Sequence, residues 1–417
     1  AGEPAARVVQ RVVEHNGAAA CRVLGTPLCV GAGDAALANG TAAHALDFDD
    51  MCFVSLAHPS APLVAAALAA AELAGASGRA LLDAYIVGFE LEGRLGRAMN
   101  PRHYRRGWHC TSTFGTIGAA AAAARLLDLD GQGAAHALAI AASEASGLKE
   151  NFGTMVKPLH AGLAARNGVL AAMLARAGMT ASSAAIDGPQ GFLAAMDSEL
   201  PSLEPLAADL GTRWEIVETG ITVKLYPSCA GTHPTLDALL DLKRRIEFRA
   251  DDVDAIEIGV DPIVPTILLY DRPGSGLEAK FSMPFCAAAA IVDGRVGVET
   301  FDASRLGDPS IRALQARVTM HVDPTLDSSA PSLTQARVTV RLRDGRVVSA
   351  SANGARGYPE RPASDEELAT KFTSCASQTL SAAQAAAAVV RLRAIESIAD
   401  VRTLTADLVT QASSALG

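Results

Sequence analysis

Residues 39–60 read NGTAAHALDFDDMCFVSLAHPS. This window holds His44, Asp47, Asp49, Asp50 and His58 in a chain dominated elsewhere by alanine, leucine and glycine. Acids and imidazoles cost free energy to bury unless they find partners, so a set this dense is read as the wall of a polar pocket. The run Asp47-Phe48-Asp49-Asp50 cannot point all its acids one way. One or two face a cleft, and the rest solvate or cap a loop. His58-Pro59-Ser60 leads into an alanine-rich run with Pro62 in its first turn, where a missing N–H costs little. Ser60 or a neighbour is expected to cap that helix.

Outward from this window the first half of the chain reads as helices. Residues 61–74, 79–99, 115–127, 133–146 and 161–177 are Ala/Leu-rich runs of helical length, separated by Gly and Asp/Asn clusters that act as stops and caps. The pattern changes after about residue 210. Ile256, Ile258 and Val260 alternate with Glu257 and Gly259, and Val338, Val340 and Leu342 alternate with Thr339, Arg341 and Arg343. This is the period of half-buried strands. Asp344-Gly345 predicts a hairpin turn into a return strand at Val347-Val348, and 318–322 is a further strand candidate. Helical periodicity returns over 365–416. The simplest architecture is mainly α with an α+β insertion: a helical domain built from 1–220 and 361–417, and a smaller α+β domain over 221–360.

The chain has 417 residues, 49% of them hydrophobic but only 4% aromatic, so alanine supplies much of the core. A net charge of -9 argues against nucleic acid as a partner, which needs concentrated Lys and Arg. It also requires any anionic substrate to meet a locally positive pocket. The seven cysteines are dispersed, with no CxxC pair, which points to reduced thiols in a cytoplasmic protein. No run of strongly apolar residues is long enough for a membrane span. HExxH, Walker, GxGxxG and GxSxG patterns are absent, and no residue pattern calls for a metal or other cofactor.

Several further residues are chemically capable. His109 lies in GWHCT (107–111), where a loop runs toward a helix N-terminus, a place that favours anions. Lys157 sits between Val156 and Pro158, just ahead of an alanine-rich run, and Lys224 between Val223 and Leu225. Lysines in apolar company either snorkel to solvent or meet an anion. Arg272 is either a further cation or a solvated loop arginine. His160 and His233 are assigned supporting or capping roles. Cys110 and Cys229 read as small core residues.

The segments NGTAAHALDFDD with HPS, GWHCTSTFGTIGAA (107–120), MVKPLHAGLAARNG (155–168), VKLYPSCAGTH (223–233), KFSMPFCAAAAIVDG (280–294) and SDEELATKF (364–372) together resemble the MmgE/PrpD family, in that family's order. The family includes 2-methylcitrate dehydratases, cis-aconitate decarboxylases and iminodisuccinate epimerases. The resemblance implies that the α+β domain is a lid and that the protein is a homodimer. It places Asp47, His58 and His109 in an active site, makes Lys157 and Lys224 carboxylate clamps, and makes Tyr270 a lid tyrosine reaching that site. It also implies a helical segment ahead of Ala1. Decarboxylase-like relatives tend to carry a threonine shortly after DFDD, where this chain has Met51.

These parts suit a lyase that moves a proton at the carbon next to a carboxylate of a di- or tricarboxylic acid. Lysines would stabilise the developing charge, histidines would transfer the proton, and Asp47 would orient a histidine. Dehydration, decarboxylation and epimerisation all use this equipment. A non-catalytic polycarboxylate-binding protein would need the lysines but not both histidines.

Overall fold

A computed structural model describes residues 1–196, 204–326 and 334–410. It is mainly helical with a small amount of sheet. The expected helices are present, at Ser60–Ala74, Gly78–Met99, Cys110–Leu126, Gly131–Glu144 and Val156–Arg176. Ala32–His44 is a further helix. Two of them begin five residues earlier than the alanine pattern predicts. Cys110–Leu126 takes in CTSTF, and Val156–Arg176 takes in VKPLH. Pro158 stands in the first turn of the latter, where its missing N–H breaks no helical bond. Lys157 is therefore on the helix rather than ahead of it.

These helices pack through alanine. Ala66, Ala67, Ala70, Ala119, Ala122, Ala123, Ala165 and Ala172 are fully buried in one cluster. Alanine loses no side-chain entropy in a helix, and its small bulk lets backbones approach closely. The closest approach joins Ala32–His44 to Val156–Arg176. A Cβ on Gly162 would lie 2.2 Å from Thr41 Oγ1 and 2.4 Å from the Leu37 carbonyl oxygen, and one on Gly40 would lie 2.9 Å from Gly162 Cα. Only glycine permits this crossing, and it brings the end of the first helix beside the start of the second.

The later half carries a four-stranded sheet in the order Val318–Val322, Val253–Val260, Gln335–Leu342, Val347–Asn353. The first pair is parallel and the others antiparallel. Ile256, Ile258, Val338, Val340 and Leu342 are buried and share a core with Leu236, Leu239 and Leu242 of helix His233–Arg245 and with Phe285 and Ala287 of helix Met283–Asp293. The alternating partners Glu257, Arg337 and Arg341 are exposed. Gly345 takes φ +91 in the predicted hairpin turn. The expected helix over 365–416 appears as Asp365–Ala376, Ala382–Arg393 and Val401–Ala406, and its last stretch, 411–416, lies outside the described residues. No helix among the described residues is long and apolar enough to cross a membrane.

Candidate active site

The helix Ala32–His44 delivers its last residue, His44, to the crossing with Lys157. Three residues on, Asp47 adopts φ +50, a left-handed conformation that Asp tolerates better than most residues. The chain then forms a two-residue strand, Asp50–Met51, paired antiparallel with Thr222–Val223. The Lys224 amide donates to the Asp49 carbonyl, 3.2 Å. This ribbon seats Lys224 on the acidic loop. His58 is held by its own amide, which donates to the Thr111 hydroxyl at 3.0 Å on the first turn of Cys110–Leu126. His109 precedes that turn, and its amide donates to the Gly147 carbonyl.

The side chains form one connected charge network. Lys157 Nζ donates to Asp47 Oδ1 at 2.6 Å and to His44 Nε2 at 2.9 Å. Lys224 Nζ lies 3.1 Å from Asp47 Oδ2. His44 Nδ1 is 2.7 Å from Asp49 Oδ2. Since Nε2 accepts from an ammonium group, Nδ1 carries the proton and donates to Asp49. His58 Nδ1 is 3.3 Å from Asp49 Oδ1. His109 Nδ1 is 3.0 Å from His160 Nδ1, so one ring donates to the other. His109 Nε2 is buried without a hydrogen-bond partner. The ring centroids of His58 and His109 are 6.5 Å apart.

Burial opposes charge throughout, and specific partners decide the outcome. Asp47 is held well below the usual carboxylate range against its burial, by Lys157 and then Lys224. Asp49 is also held down, by His44 and His58. The histidines go the other way. Burial, reinforced by Lys157 and Lys224 and opposed by Asp49, lowers His58 to about 3. Burial also lowers His109, aided by Lys157. The site at rest therefore contains anionic acids, ammonium groups and neutral imidazoles.

Asp47, His58, His109 and Lys157 line a small cavity with Met51, Leu56, Phe152, Cys229, Ile267 and Phe281. About 30 Å³ of it is free, room for a water or two. The sequence-predicted residues divide here. Asp47, His58, His109 and Lys157 meet at the cavity. Lys224 is fully buried behind Asp47 and does not line it, so the expected pair of lysines on a substrate becomes a pair on Asp47. Tyr270 stands one layer out, its hydroxyl donating to the Phe152 carbonyl at 3.0 Å. Arg272 does not reach the site. It is exposed and borders a separate cavity of about 830 Å³ with Arg312. Ser60 does not cap its own helix. Its hydroxyl and amide donate to Asp50, at 2.6 Å for the hydroxyl, so an acid earlier in the loop serves that helix terminus. His233 Nε2 meets the Ser228 carbonyl, a supporting role.

Four residues with roles here carry no assignment from sequence. His44 lies in the opening window but reveals its part only through the helix crossing. Asp49 joins both histidines. Lys280 Nζ donates to the carbonyls of Leu46 and Pro227, and Lys371 Nζ to those of Asp49 and Lys224. Both lysines sit in segments quoted above, which was the available signal. Cys110 and Cys229 are buried, and burial raises both thiols, which disfavours a nucleophilic thiolate.

Ligand atoms of His44, Asp47, Asp49 and His58 lie within 4.8 Å of one another, a spacing that could surround a metal ion. Lys157 and Lys224 already stand against Asp47, and a dication there would face two ammonium charges. The donor set fits lysine-neutralised acids better than a metal.

Sequence models of the MmgE/PrpD N-terminal domain and the MmgE/PrpD C-terminal domain match residues 1–202 and 226–395. The chain belongs to the MmgE/PrpD family. Within it, the chain is similar to the cis-aconitate decarboxylase of Homo sapiens, 30% identical over 385 residues, covering 89% of this chain and 78% of that protein. It is 29% identical to the cis-aconitate decarboxylase-like protein oryM of Aspergillus oryzae over 409 residues, 93% of this chain and 84% of that one. The cis-aconitate decarboxylase of Aspergillus terreus is 27% identical over 393 residues, 89% and 80% respectively. For an MmgE/PrpD protein, the quoted segments are thus those whose side chains meet at the cavity or brace it.

Proposed function

We propose that this protein is a cofactor-independent lyase acting on a di- or tricarboxylic acid by proton transfer at the carbon next to a carboxylate. The observation that carries this reading is the convergence of two neutral imidazoles, His58 and His109, with the Lys157 ammonium on one cavity wall. A carbon acid of this kind is weak. It ionises when the charge developing on the neighbouring carboxylate is stabilised, which suits the buried ammonium of Lys157. His58, with Nδ1 turned to Asp49, leaves Nε2 for the substrate, and Asp49 stabilises the cation formed when that nitrogen takes a proton. His109 is set by His160. A proton on His160 Nδ1 directed to His109 leaves Nε2–H as an acid, and the reverse leaves Nε2 as a base. The kinship with proteins named cis-aconitate decarboxylase supports a lyase.

The separation of the two imidazoles also supports an epimerase of an imino-dicarboxylate such as iminodisuccinate, one ring serving each face of the carbon. In either case the α+β part, 221–360, acts as a lid that brings Lys224, Ile267, Tyr270 and Phe281 onto a helical domain made of 1–220 and 361–417. A homodimer in the cytoplasm is part of the same proposal, on the strength of the family alone.

The test is NMR of turnover in D2O with cis-aconitate, 2-methylcitrate, citrate and iminodisuccinate. One of these or a near analogue is expected to lose water or CO2, or to exchange its C–H proton. His109→Ala should lower the rate by about 10²-fold or more with the fold intact. Full turnover in that variant would remove the mechanism.

A further inference from the structure

One polar group on the cavity wall has no part in the mechanism above. Tyr104 lines the same space as Asp47, His58, His109 and Lys157. It stands on the short helix Arg102–Arg105 and is buried. Its backbone and ring are firmly held. The Tyr104 carbonyl accepts from the Gly107 amide at 3.2 Å and from Lys149 Nζ at 3.2 Å. The Lys149 ammonium stands 3.6 Å from the centre of the ring, and the Lys149 amide donates to the Gly107 carbonyl at 2.8 Å. Nothing comparable holds the hydroxyl, which has no hydrogen-bond partner among the described residues. A buried tyrosine usually finds a partner for its O–H. On a cavity wall, a ligand oxygen can be that partner.

The hydroxyl keeps its proton. Burial first, and then Cys229, Cys110 and Asp47, hold the phenol well above its ordinary range. Cys229 and Asp47 are themselves on the cavity wall. The group is therefore a donor and not a base. The Lys149 ammonium strengthens it in that role, because a cation beside a phenol favours the negative charge its oxygen gains on donating. The same cation–ring contact fixes the plane of the ring, and with it the position of the oxygen. Only about 30 Å³ of the cavity is free, so the few ligand atoms that enter it meet Tyr104 and Lys157 together.

We propose that Tyr104 is a ligand-contact residue of this site: its hydroxyl donates to an oxygen of the bound acid, and Lys149, which touches the ring, is a positioning residue for it. This rests on the reading above and adds a neutral donor beside the ammonium of Lys157.

The experiment is isothermal titration calorimetry with cis-aconitate, 2-methylcitrate, citrate and iminodisuccinate, on the wild type, Tyr104→Phe, Lys149→Met and the double variant. Tyr104→Phe keeps the ring under Lys149 and is expected to melt near the wild type. The acid that the wild type binds best should lose about 10- to 100-fold in affinity there. Lys149→Met is expected to lose less, and to lose nothing further in the Tyr104→Phe background, where no donor is left to position. Equal affinity of Tyr104→Phe and wild type would overturn the proposal, as would a wild type that binds none of the four. A Tyr104→Phe protein melting far below the wild type would overturn it too, since the hydroxyl would then serve the fold. If Lys149→Met weakened binding equally in both backgrounds, Lys149 would act on the ligand directly and its assignment would fall. These outcomes separate from those of the lyase reading. Weakened binding in Tyr104→Phe, with no turnover or C–H exchange of any acid by the wild type, would remove the lyase and keep the Tyr104 contact. Unchanged binding in Tyr104→Phe beside a wild type that turns over would do the reverse.

Discussion

Two regions of the molecule are buried equally well by opposite means. In the alanine layer, where Ser60–Ala74, Cys110–Leu126 and Val156–Arg176 meet, almost every inward group is a methyl or a hydrogen. Around Asp47 the contacts that matter are between charged groups and imidazoles. The first depends on shape and fails when volume is added. The second depends on partners and fails when one is removed. They meet at the Gly40–Gly162 crossing, which lets the shape-dependent layer fix where His44 and Lys157 stand.

The largest effect should come from removing the central partner. Asp47→Asn keeps the shape but leaves Lys157 and Lys224 buried without their anion, and we expect about 3–5 kcal/mol of destabilisation with turnover lost, read by denaturant unfolding and the NMR assay. Lost activity with unchanged stability would show that the lysines are paired elsewhere. Next is the crossing itself. Gly162→Ala pushes a methyl into Thr41 and Leu37, and should cost about 1–3 kcal/mol and lower turnover by displacing Lys157. Were stability to fall and activity to hold, the two regions would be independent after all.

A third effect is spread over several groups. Burial holds His58 and His233 near 3, and His103 and His160 near 4, from an ordinary 6.5. Between those values and 6.5 the unfolded chain binds protons that the native one refuses, so stability falls as pH drops. Each histidine contributes ~1.4 kcal/mol per pH unit in its window. Asp50, raised to about 7 by burial and then by Asp49, acts in the opposite sense and offsets one of them. The melting temperature should therefore drop steeply from pH 6.5 to 4.5, and His103→Gln, outside the cavity, should make the drop shallower. The smallest effect belongs to Arg272→Ala, expected to change stability by no more than about 0.5 kcal/mol and to leave turnover as it is. A marked loss of activity there would return Arg272 to the site.

Local pattern carried much of this. The strand Val318–Val322 has the bounds read from its residues, the Asp344-Gly345 turn joins the strands it should, and the helices differ chiefly at their starts, where CTSTF and VKPLH lack the alanine signal. At the site, the dense window and the family segments brought out Asp47, His58, His109 and Lys157. What stayed hidden depends on long-range pairing. No local pattern shows that Asp50–Met51 will pair with Thr222–Val223, so Lys224 read as a substrate clamp and not as a support for Asp47. Nor does periodicity distinguish Lys280 and Lys371 from surface lysines, because their partners are carbonyls far away in sequence.

That short ribbon between Asp50–Met51 and Thr222–Val223 has a consequence for anyone who would divide the chain. It is a seam sewn by two residues on each side, and without it the early half holds an aspartate with one of its two counter-ions. A fragment ending before residue 222 could keep every alanine contact and still present the wrong electrostatics to its ligand. Activity in this protein should therefore report on the two halves being joined, and not on either half alone.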